Sequence, residues 1–316
     1  MTQEKLPHGL QDPFKKNGFK SIEQSVSTSL TEVRTGMYGK RRVYPTKWDR
    51  LNTNLLGGLQ PGKMYVVAGR PGVGKSAFSN QLIFDLLDRN QDKQLTVLYW
   101  SFEMPGYQQI LRAGSKGSGK QVSELLSVEQ TLKTEEYEKY RDSVIKYNKY
   151  PIYFNNIPRT ITFIKDTNID VTNKHPDATI INVFDHSRLI LSDKDQELQK
   201  LNEVSKGCMW LQAKIGCINI LLSQLNRNIE QEYRAKAQYQ PLLTDLFGGD
   251  SIGQDAHVVL MLQRPNDLYG ITDLYCGENP IKLLAVHVEK NRDGLLGMIP
   301  YEAEMSTFTI NERIKT

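Results

Sequence analysis

The sequence contains few cysteines and no long apolar run. Its three cysteines, Cys208, Cys217 and Cys276, are odd in number and lack a paired C-x-x-C spacing, which argues against a disulfide framework, a zinc site or a redox motif. No stretch approaches the roughly 18 apolar residues of a membrane-spanning helix. The first forty residues also lack the apolar core of a signal peptide. We therefore expect a cytoplasmic protein with free thiols and no membrane partner.

Neither positive nor negative charge is present in strong excess. The 40 lysine and arginine residues and 36 aspartate and glutamate residues give a formal net charge of +4 at pH 7. With 39% hydrophobic and 24% charged residues, the composition is typical of a soluble globular protein. Such a surface is compatible with nucleic acid bound at a local basic patch, and equally with no nucleic-acid partner.

The first forty residues differ from the rest of the chain. Residues 1 to about 20 are polar and rich in proline and glycine, which predicts a flexible lead-in. A linker helix is predicted over residues 21–38, where apolar residues recur at helical spacing: Ile22, Val26, Leu30 and Val33. This apolar stripe must pack either on its own domain or on a neighbouring subunit. We expect residues 1–40 to form the lead-in and linker helix, and residues 41–316 to form one domain.

After Arg42, short apolar runs alternate with helical stretches. Strands are predicted at residues 64–68, 96–101, 152–154, 179–184, 217–222, 258–262 and 283–288. One helix face is predicted from Phe78, Leu82, Ile83, Leu86 and Leu87, and a second from Leu198, Leu201, Val204, Cys208, Leu211 and Ile215. Continuous apolar strands separated by helices predict an α/β fold with a mostly parallel sheet and helices on both faces. Ligands then bind at the carboxyl ends of the strands.

Residues 69–76 have the sequence Gly-Arg-Pro-Gly-Val-Gly-Lys-Ser, which matches G-x-x-x-x-G-K-[ST] between an apolar strand and an amphipathic helix. In such a loop, backbone N–H groups and the positive end of the helix hold phosphates. Lys75 is expected to neutralise the β and γ phosphates, and the Ser76 hydroxyl to bind magnesium. The predicted cofactors are therefore ATP and Mg²⁺. The predicted cradle is Gly69, Arg70, Pro71, Gly72, Val73, Gly74, Lys75, Ser76 and Ala77.

A similar spacing of glycine and lysine occurs at residues 114–120, Gly-Ser-Lys-Gly-Ser-Gly-Lys, but Gln121 follows where a hydroxyl would be needed for magnesium. This segment also comes after a helix-like stretch rather than a strand. We therefore predict a flexible surface loop here, not a second phosphate site.

Two acidic residues stand at predicted strand ends. Asp185 closes the strand at 179–184, the usual position of a Walker-B carboxylate that holds magnesium. Glu103 follows the strand that ends at Ser101, where it is suited to polarise an attacking water. Taken singly, each acid is equally well explained as a solvated loop carboxylate or a helix cap.

An ordered set of motifs resembles a known family. The set comprises residues 58–62 (Gly-Leu-Gln-Pro-Gly), 69–76, 101–105 (Ser-Phe-Glu-Met-Pro), 222–227 (Leu-Ser-Gln-Leu-Asn-Arg), 251–256 (Ser-Ile-Gly-Gln-Asp-Ala) and 290–294 (Lys-Asn-Arg-Asp-Gly). In this order, from about residue 44 to 300, the chain resembles the RecA-like motor domain of DnaB-type replicative DNA helicases. The resemblance implies a RecA-like P-loop fold and an ATP-driven ring, expected to be a hexamer, that translocates on single-stranded DNA. Primase or a helicase loader is a further expected partner.

The resemblance also implies roles for single residues. Glu103 corresponds to the catalytic base, Asp185 to the Walker-B acid, and Gln224 to a sensor that links the γ-phosphate to the DNA-facing loops. Lys290 and Arg292 correspond to the pair that such rings insert into the neighbouring subunit's site. A planar guanidinium supplied by a neighbour stabilises transition-state charge and makes hydrolysis depend on assembly.

The chain departs from the family in the segment expected to line the ring's channel. Where relatives usually have Arg-Glu-Ser-Gly, this chain has Phe247-Gly248-Gly249-Asp250. Phe247 is suited to stack on a base, and the amides of Gly248 and Gly249 to hold phosphates, whereas Asp250 repels a polyanion. Positive charge nearby comes from Arg227, Arg234 and Lys236, although a solvated loop explains these residues equally well.

Two further departures concern Asn182, which stands where relatives have an aliphatic residue, and the first forty residues, which cannot hold a primase-binding helical domain. Both indicate a shortened, phage-like or accessory form. Three functions therefore stay open: a helicase, a ring-forming regulatory ATPase that does not unwind DNA, and a nucleotide-bound helicase loader or adaptor. DNA-stimulated hydrolysis and unwinding distinguish the first, and turnover lost in Glu103→Gln would dismiss the third.

Overall fold

One mixed sheet organises residues 43–313 in the computed structural model, which describes residues 18–129, 132–247, 249–274 and 277–313. Its strands are β1 (Met64–Gly69), β2 (Leu95–Ser101), β3 (Ile152–Asn155), β4 (Thr179–Asp185), β5 (Ile218–Gln224), β6 (Val258–Gln263), β7 (Leu283–Asn291), β8 (Gly297–Glu304) and β9 (Thr309–Glu312). They lie in the order β3-β2-β4-β5-β1-β6-β7-β8-β9. Strands β1 to β6 pair in parallel, and β7, β8 and β9 extend the sheet in antiparallel pairs.

Helices connect these strands. They are α1 (Ile22–Met37), α2 (Asp49–Asn54), α3 (Lys75–Arg89), α4 (Gly106–Ser118), α5 (Val122–Leu125), α6 (Thr134–Ile145), α7 (Ile161–Lys174), α8 (Glu197–Ile215), α9 (Gly249–Asp255) and α10 (Pro265–Tyr269). Short 3₁₀ helices occur at Lys146–Lys149, Ser187–Leu189, Arg227–Glu230, Glu232–Ala237 and Leu243–Asp245. In the part of the chain that the structure describes, no helix is both long and apolar enough to cross a bilayer.

The sheet has a hydrophobic core on each face, because successive side chains of a strand point to opposite sides. Tyr65 and Val67 of β1 pack in the core that includes Phe78 of α3. Val66 and Ala68 pack in the opposite core, which includes Leu201 of α8. The predicted mostly parallel sheet with helices on both faces is therefore confirmed.

All seven predicted strands are present, and the structure adds β8 and β9, which the sequence did not predict. Pro300 lies inside β8 and interrupts the expected pattern of a strand, while β9 has only four residues. The predicted face of α3 is buried. On α8, however, Leu198 is 62% exposed, because the buried side of that helix begins one turn later, at Leu201.

The prediction of a flexible loop at residues 114–120 was wrong. Residues up to Ser118 belong to α4, and Gly119 ends that helix in a left-handed conformation with a φ of 75°. A Cβ on Gly114 would lie 2.3 Å from the ring of Tyr140 and 2.6 Å from Val144, both in α6. The glycines therefore allow two helices to pack closely, which is a tertiary reason for the glycine spacing that a local pattern does not reveal.

The N-terminal unit, Met1–Arg42, is separate from the unit Val43–Thr316. The predicted linker helix is present as α1, and it begins with a capping box. The Ser21 hydroxyl accepts a hydrogen bond from the Gln24 backbone N–H, and the Gln24 side-chain oxygen accepts one from the Ser21 N–H. The predicted apolar stripe is exposed: Ile22, Val26, Leu30 and Val33. Residues 1–17, most of the predicted lead-in, lie outside the described residues.

Asn182 belongs to a buried polar cluster in one of the two cores. Its Oδ1 accepts hydrogen bonds from Trp100 Nε1 at 3.1 Å and Asn168 Nδ2 at 3.1 Å. Its Nδ2 donates to Asn168 Oδ1 at 2.9 Å and Asn219 Oδ1 at 3.1 Å. Because these bonds satisfy the side-chain amide, a polar residue is tolerated inside β4, and it joins α7 to two strands.

Cys208 and Cys217 are buried free thiols in the same core. Burial raises the pKa of both thiols, that of Cys217 to about 12. Both thiols therefore stay protonated at neutral pH and are not nucleophiles. The third cysteine, Cys276, lies outside the described residues.

Candidate nucleotide site

The carboxyl ends of four parallel strands meet at one edge of the sheet. Gly69, the last residue of β1, pairs with Gln224, the last residue of β5. Ser101 at the end of β2 pairs with Asp185 at the end of β4. The strand register therefore brings the phosphate loop, the Glu103 segment, the acid of β4 and Gln224 to the same edge.

The phosphate loop occupies the turn between β1 and α3. Gly74 is the N-terminal capping residue of α3 and has a φ of 104°, which is strained for any residue with a side chain. A Cβ at this position would also lie 2.6 Å from the terminal methyl group of Met305. The backbone conformation therefore favours glycine here, whereas the flexible end of Met305 could move aside, and the loop leaves the first backbone N–H groups of α3 directed at the site.

Lys75 is largely buried at the base of the loop. Its Nζ donates hydrogen bonds to the backbone carbonyls of Gly69 at 3.0 Å and Arg70 at 3.3 Å. Burial lowers the pKa of Lys75 to about 8, an effect that the carboxylates of Asp185 and Glu103 partly oppose. Among the described residues, the hydrogen bonds of this partly buried ammonium go to neutral carbonyls, which suits an anion, because a phosphate would supply the charge that the carbonyls lack.

Ser76 and Asp185 offer oxygen ligands for a divalent cation. Burial raises the pKa of Asp185 to about 6, while a hydrogen bond with the Ser76 side chain lowers it in part. Among the described residues, Asp185 Oδ2 is buried and has no hydrogen-bond partner. A buried, unpaired carboxylate oxygen beside a hydroxyl fits magnesium, which prefers oxygen ligands and usually binds through one or two protein groups plus phosphate and water.

These groups line a cleft of about 330 Å³. The predicted site residues that line it are Pro71, Gly72, Gly74, Lys75, Ser76, Ala77, Glu103, Asp185 and Gln224. Three residues of the predicted cradle do not line the cleft: Gly69, Arg70 and Val73. Val73 is fully buried in the core, where its side chain occupies the space beside Gly69. Arg70 directs its side chain to Glu230, with Nε 2.6 Å from Oε1.

Five further residues line the cleft that the sequence did not predict: Arg112, His186, Arg264, Met305 and Phe308. The Arg112 guanidinium lies 4.9 Å from the centre of the Phe308 ring, and burial lowers the pKa of Arg112 and of Arg264. Arg112 lies in α4, the helix that follows Glu103, so its position in the sequence gave some indication that it lies near the cleft. Met305 and Phe308 come from the turn between β8 and β9, which no motif marks.

Lys290 and Arg292 lie at the opposite edge of the sheet from the cleft. Lys290 pairs with Val259 near the start of β6, and the Arg292 N–H donates to the His257 carbonyl at 3.0 Å. The start of β6 pairs with Tyr65, four residues before Gly69, which corresponds to about 13 Å along the strand. Neither basic residue therefore lines the cleft of its own chain.

Both side chains contact the end of α9. Lys290 Nζ donates to the carbonyls of Gly253 and Gln254, both at 2.8 Å, and Arg292 Nη2 donates to the Gln254 carbonyl at 2.8 Å. These bonds join the end of β7 to the segment that follows Gly249. The two cations are thus held side by side on one surface of the chain.

The residues predicted to contact DNA have different environments. Arg227 and Lys236 are exposed, whereas Arg234 is buried, with Nη1 and Nη2 each 3.0 Å from an oxygen of Asp245. In this structure Arg234 therefore does not present its charge at the surface, and its contact with DNA stays a prediction. This arginine forms an internal ion pair, because Asp245 lies on the turn that folds back against it.

The Phe247 side chain is partly buried rather than fully exposed to solvent. Its backbone N–H donates to the Gln224 carbonyl at 2.9 Å, and the Arg188 guanidinium lies 4.5 Å from the centre of its ring. Gly249 is the first residue of α9. Gly248 lies outside the described residues.

The family model covers nearly the same residues as the structural unit Val43–Thr316. Residues 44–310 match the family model of the DnaB-like helicase C terminal domain. The replicative DNA helicase DnaB of Mycoplasma pneumoniae is 29% identical over 276 residues, which is 82% of this chain and 55% of that protein. The protein of the same name from Leifsonia xyli is 28% identical, over 77% of this chain and 52% of that protein. The chain thus spans about half the length of these relatives.

Solved structures show the same fold. One solved structure, of an ATPase domain, matches with a TM-score of 0.81 at 20% identity, covering 93% of this chain and 99% of that one. A structure of a DnaB-like replicative helicase, described together with its interactions with primase, matches with a TM-score of 0.78 at 19% identity, covering 92% and 67%. The fold of residues 43–313 is therefore the RecA-like fold that the sequence predicted.

Proposed function

Because the chain belongs to the DnaB-like helicase C-terminal domain family, we propose that it is an ATP-hydrolysing, ring-shaped DNA helicase that translocates on single-stranded DNA during replication. The observation that carries this proposal is the meeting of Lys75, Ser76, Glu103, Asp185 and Gln224 in one cleft. An anion-binding lysine, a cation-binding pair, a carboxylate and an amide are the parts that nucleoside triphosphate hydrolysis needs.

In this proposal, ATP and Mg²⁺ bind in the cleft. The phosphates would accept a hydrogen bond from the Lys75 ammonium, which also bonds the carbonyls of Gly69 and Arg70, and further hydrogen bonds from the N-terminal backbone of α3. Ser76 and Asp185 would hold the magnesium ion, which when bound would neutralise charge on the phosphate oxygens. The nucleotide site therefore forms mainly from the carboxyl ends of β1 and β4, which lie on either side of β5, and from the start of α3.

Hydrolysis needs a base near the terminal phosphate and positive charge opposite it. Glu103 orients the attacking water and accepts its proton, and Gln224 contacts the terminal phosphate from the end of β5. Arg292 and Lys290 cannot serve their own cleft from the opposite edge of the sheet, so we assign them to the cleft of a neighbouring copy. A site shared by two copies links hydrolysis to ring assembly.

The proposed DNA contacts involve residues that follow β5. Arg227 is exposed and suited to contact a phosphate, and the backbone amide of Gly249 lies at the start of a helix. Phe247 would need to leave its packing against Arg188 to stack on a base. We further propose a homohexamer, a cytoplasmic location, and primase or a helicase loader as a partner.

A second candidate function is a ring-forming regulatory ATPase that does not unwind DNA. It is favoured by the segment 247–250, which lacks arginine, and by the burial of Arg234, which removes another cation from the surface. Both observations reduce the positive charge available to a DNA strand. A loader or adaptor that only binds nucleotide is a third candidate, which the intact set of Lys75, Ser76 and Glu103 disfavours.

The test is to measure ATP hydrolysis by the purified chain with and without single-stranded DNA, together with unwinding of a forked duplex. The helicase proposal predicts DNA-stimulated hydrolysis, unwinding, and rings in particle images with a non-hydrolysable ATP analogue. A hydrolysis rate that does not change with DNA, together with rings but no unwinding, would support the regulatory ATPase. Nucleotide binding without turnover would support the loader.

A further inference from the structure

Arg70 connects the phosphate loop to the segment that follows β5. Its Nε lies 2.6 Å from Glu230 Oε1, and its Nη1 donates to the Leu225 carbonyl at 2.8 Å. The Arg70 side chain is 15% exposed and that of Glu230 is 45% exposed. A partly desolvated, charge-assisted hydrogen bond of this length is stronger and more directional than an ordinary surface ion pair.

The segment 225–247 that Arg70 contacts is braced as one unit. Leu225 and Leu246 form an isolated β-bridge that closes it. Inside it, Asp245 accepts hydrogen bonds from both terminal nitrogens of Arg234 and from the Leu242 N–H. Because its ends are paired and its interior is tied by a buried ion pair, displacement at Glu230 should move the whole segment rather than bend one turn.

The same segment is attached to the carboxyl ends of β1 and β5. The Leu225 N–H donates to the Gly69 carbonyl at 3.3 Å, and the Phe247 N–H donates to the Gln224 carbonyl at 2.9 Å. The Arg70–Glu230 ion pair differs from these backbone contacts because both of its partners are charged side chains. It therefore links the phosphate loop to the middle of the segment rather than to its ends.

Phosphate binding acts on the ammonium that holds the backbone around Arg70. Lys75 Nζ bonds the carbonyls of residues 69 and 70, which flank the Arg70 α-carbon. The ammonium has three N–H donors, and a bound phosphate that draws it towards itself weakens its bonds to these two carbonyls. The backbone from which the Arg70 side chain extends is then held less firmly, and the Arg70 side chain connects that backbone to Glu230.

We propose that the Arg70–Glu230 ion pair transmits the nucleotide state of the phosphate loop to segment 225–247. Glu230 is thus a positioning residue, not a catalytic one. The inference rests on the proposed function, because segment 225–247 contains the surface assigned to DNA. It adds a second path by which the nucleotide state reaches segment 225–247, separate from the path through Gln224 and the terminal phosphate.

The decisive experiment is hydrogen exchange of segment 225–247 in the full chain, with and without a non-hydrolysable ATP analogue and magnesium. In the wild type, the analogue should change exchange in this segment. In Glu230→Ala the change should shrink roughly fivefold or more, a coupling of ordinary size for linked sites, while analogue affinity is kept. Glu230→Gln, which retains an acceptor without the charge, should give an intermediate response, whereas a purely structural role would leave the response intact.

Glu136→Ala is the matched control. It removes a 2.6 Å ion pair with Lys120, whose side chains are 29% and 30% exposed, in a helix that contributes no residue to the cleft, and should leave the nucleotide response unchanged. A Glu230→Ala response equal to that of the wild type would overturn the inference, as would a wild-type segment that does not respond to nucleotide.

Hydrolysis assays separate this inference from the proposed function. Glu230→Ala should keep the basal rate and KM for ATP but lose most of the stimulation by oligodeoxythymidylate. If wild-type hydrolysis is not stimulated by DNA, the helicase proposal fails, yet the exchange experiment still decides whether the ion pair transmits the nucleotide state. If stimulation persists in Glu230→Ala with an unchanged exchange response, the inference fails and the helicase proposal stands.

Discussion

The Ser76 side chain lies near enough to the Asp185 carboxyl to lower its pKa in part, which brings the end of β4 beside the first turn of α3. These two residues lie more than a hundred positions apart in the sequence. Their meeting leaves the second carboxylate oxygen of Asp185 buried and without a partner among the described residues. Asp185 Oδ2 is thus a strong acceptor at the base of the cleft that bonds no donor among the described residues.

Replacing this acceptor should change the requirement for magnesium. Asp185→Asn keeps the side-chain volume but removes the charge, so half-maximal hydrolysis should need at least roughly tenfold more magnesium. Nucleotide affinity without magnesium should change little. A magnesium titration of the hydrolysis rate measures this shift, and Asp166→Asn on the exposed side of α7 is the control. An unchanged magnesium requirement would show that Asp185 does not hold the ion.

Glu103→Gln should remove the base without disturbing the cleft. The amide cannot accept a proton, so turnover should fall about 10²- to 10⁴-fold. The dissociation constant for ATP should stay within a few-fold of the wild type, because Glu103 is at the rim and is exposed. Single-turnover hydrolysis and equilibrium nucleotide binding separate the two effects. Equal losses of binding and turnover would contradict the role of a base.

Arg292→Ala should keep nucleotide binding and lose hydrolysis by about 10³-fold, the usual effect of removing an arginine supplied by a neighbour. Mixing should then restore activity. In a mixture of Arg292→Ala and Glu103→Gln chains, some sites combine an intact cleft from the first variant with Arg292 from the second. Hydrolysis by the mixture above that of either variant alone supports sharing between copies, whereas a mixture as inactive as its parts opposes it.

The buried histidine on β7 predicts a dependence of stability on pH. Burial lowers the pKa of His287 to about 4, and its Nε2 lies 3.1 Å from Gln263 Oε1. Between pH 6.5 and 4 the unfolded chain therefore binds a proton that the folded chain does not. For this residue, the free energy of unfolding should fall by about 2 kcal/mol from pH 7 to pH 5.

His287→Gln keeps a donor for Gln263 but does not titrate. Urea unfolding of the wild type and this variant at pH 7 and pH 5 measures the contribution of His287 as the difference between their pH dependences. The wild type should lose more stability on acidification than the variant. Equal losses would show that His287 is not held neutral in the folded state.

Arg227 and Arg234 should respond differently to the same substitution. Arg234→Gln leaves the Asp245 carboxylate buried without its cation, which typically costs about 3–5 kcal/mol of folding stability. Arg227→Gln changes an exposed side chain and should leave stability within about 0.5 kcal/mol while weakening binding to single-stranded DNA. Urea unfolding and DNA-binding measurements at fixed salt check both. A stable Arg234→Gln with weakened DNA binding would restore the original expectation for Arg234.

The sequence predicted the features that depend on neighbouring residues. The loop that ends in Lys75 and Ser76 carries its own strand and helix on either side, so both its structure and its place at the sheet edge could be inferred. The central strands were predicted because they are buried on both faces and therefore apolar throughout.

Features that depend on distant residues were missed. The burial of Arg234 requires Asp245 to fold back, and the glycines of α4 require α6 beside them. The contribution of Phe308 to the cleft requires the turn between β8 and β9. For Arg234 and the α4 glycines the deciding partner lies elsewhere in the chain, so the local pattern favoured a solvated loop, and for Phe308 no local pattern indicated a site.

The location of Lys290 and Arg292 at the edge opposite the cleft has an arithmetic consequence for the proposed assembly. Each copy then carries two unlike halves of a site, so an open row of n copies contains n − 1 complete sites, and only closure of the row completes the last one. Specific activity per copy should accordingly be absent in an isolated chain, rise steeply with protein concentration, and level off when the row closes.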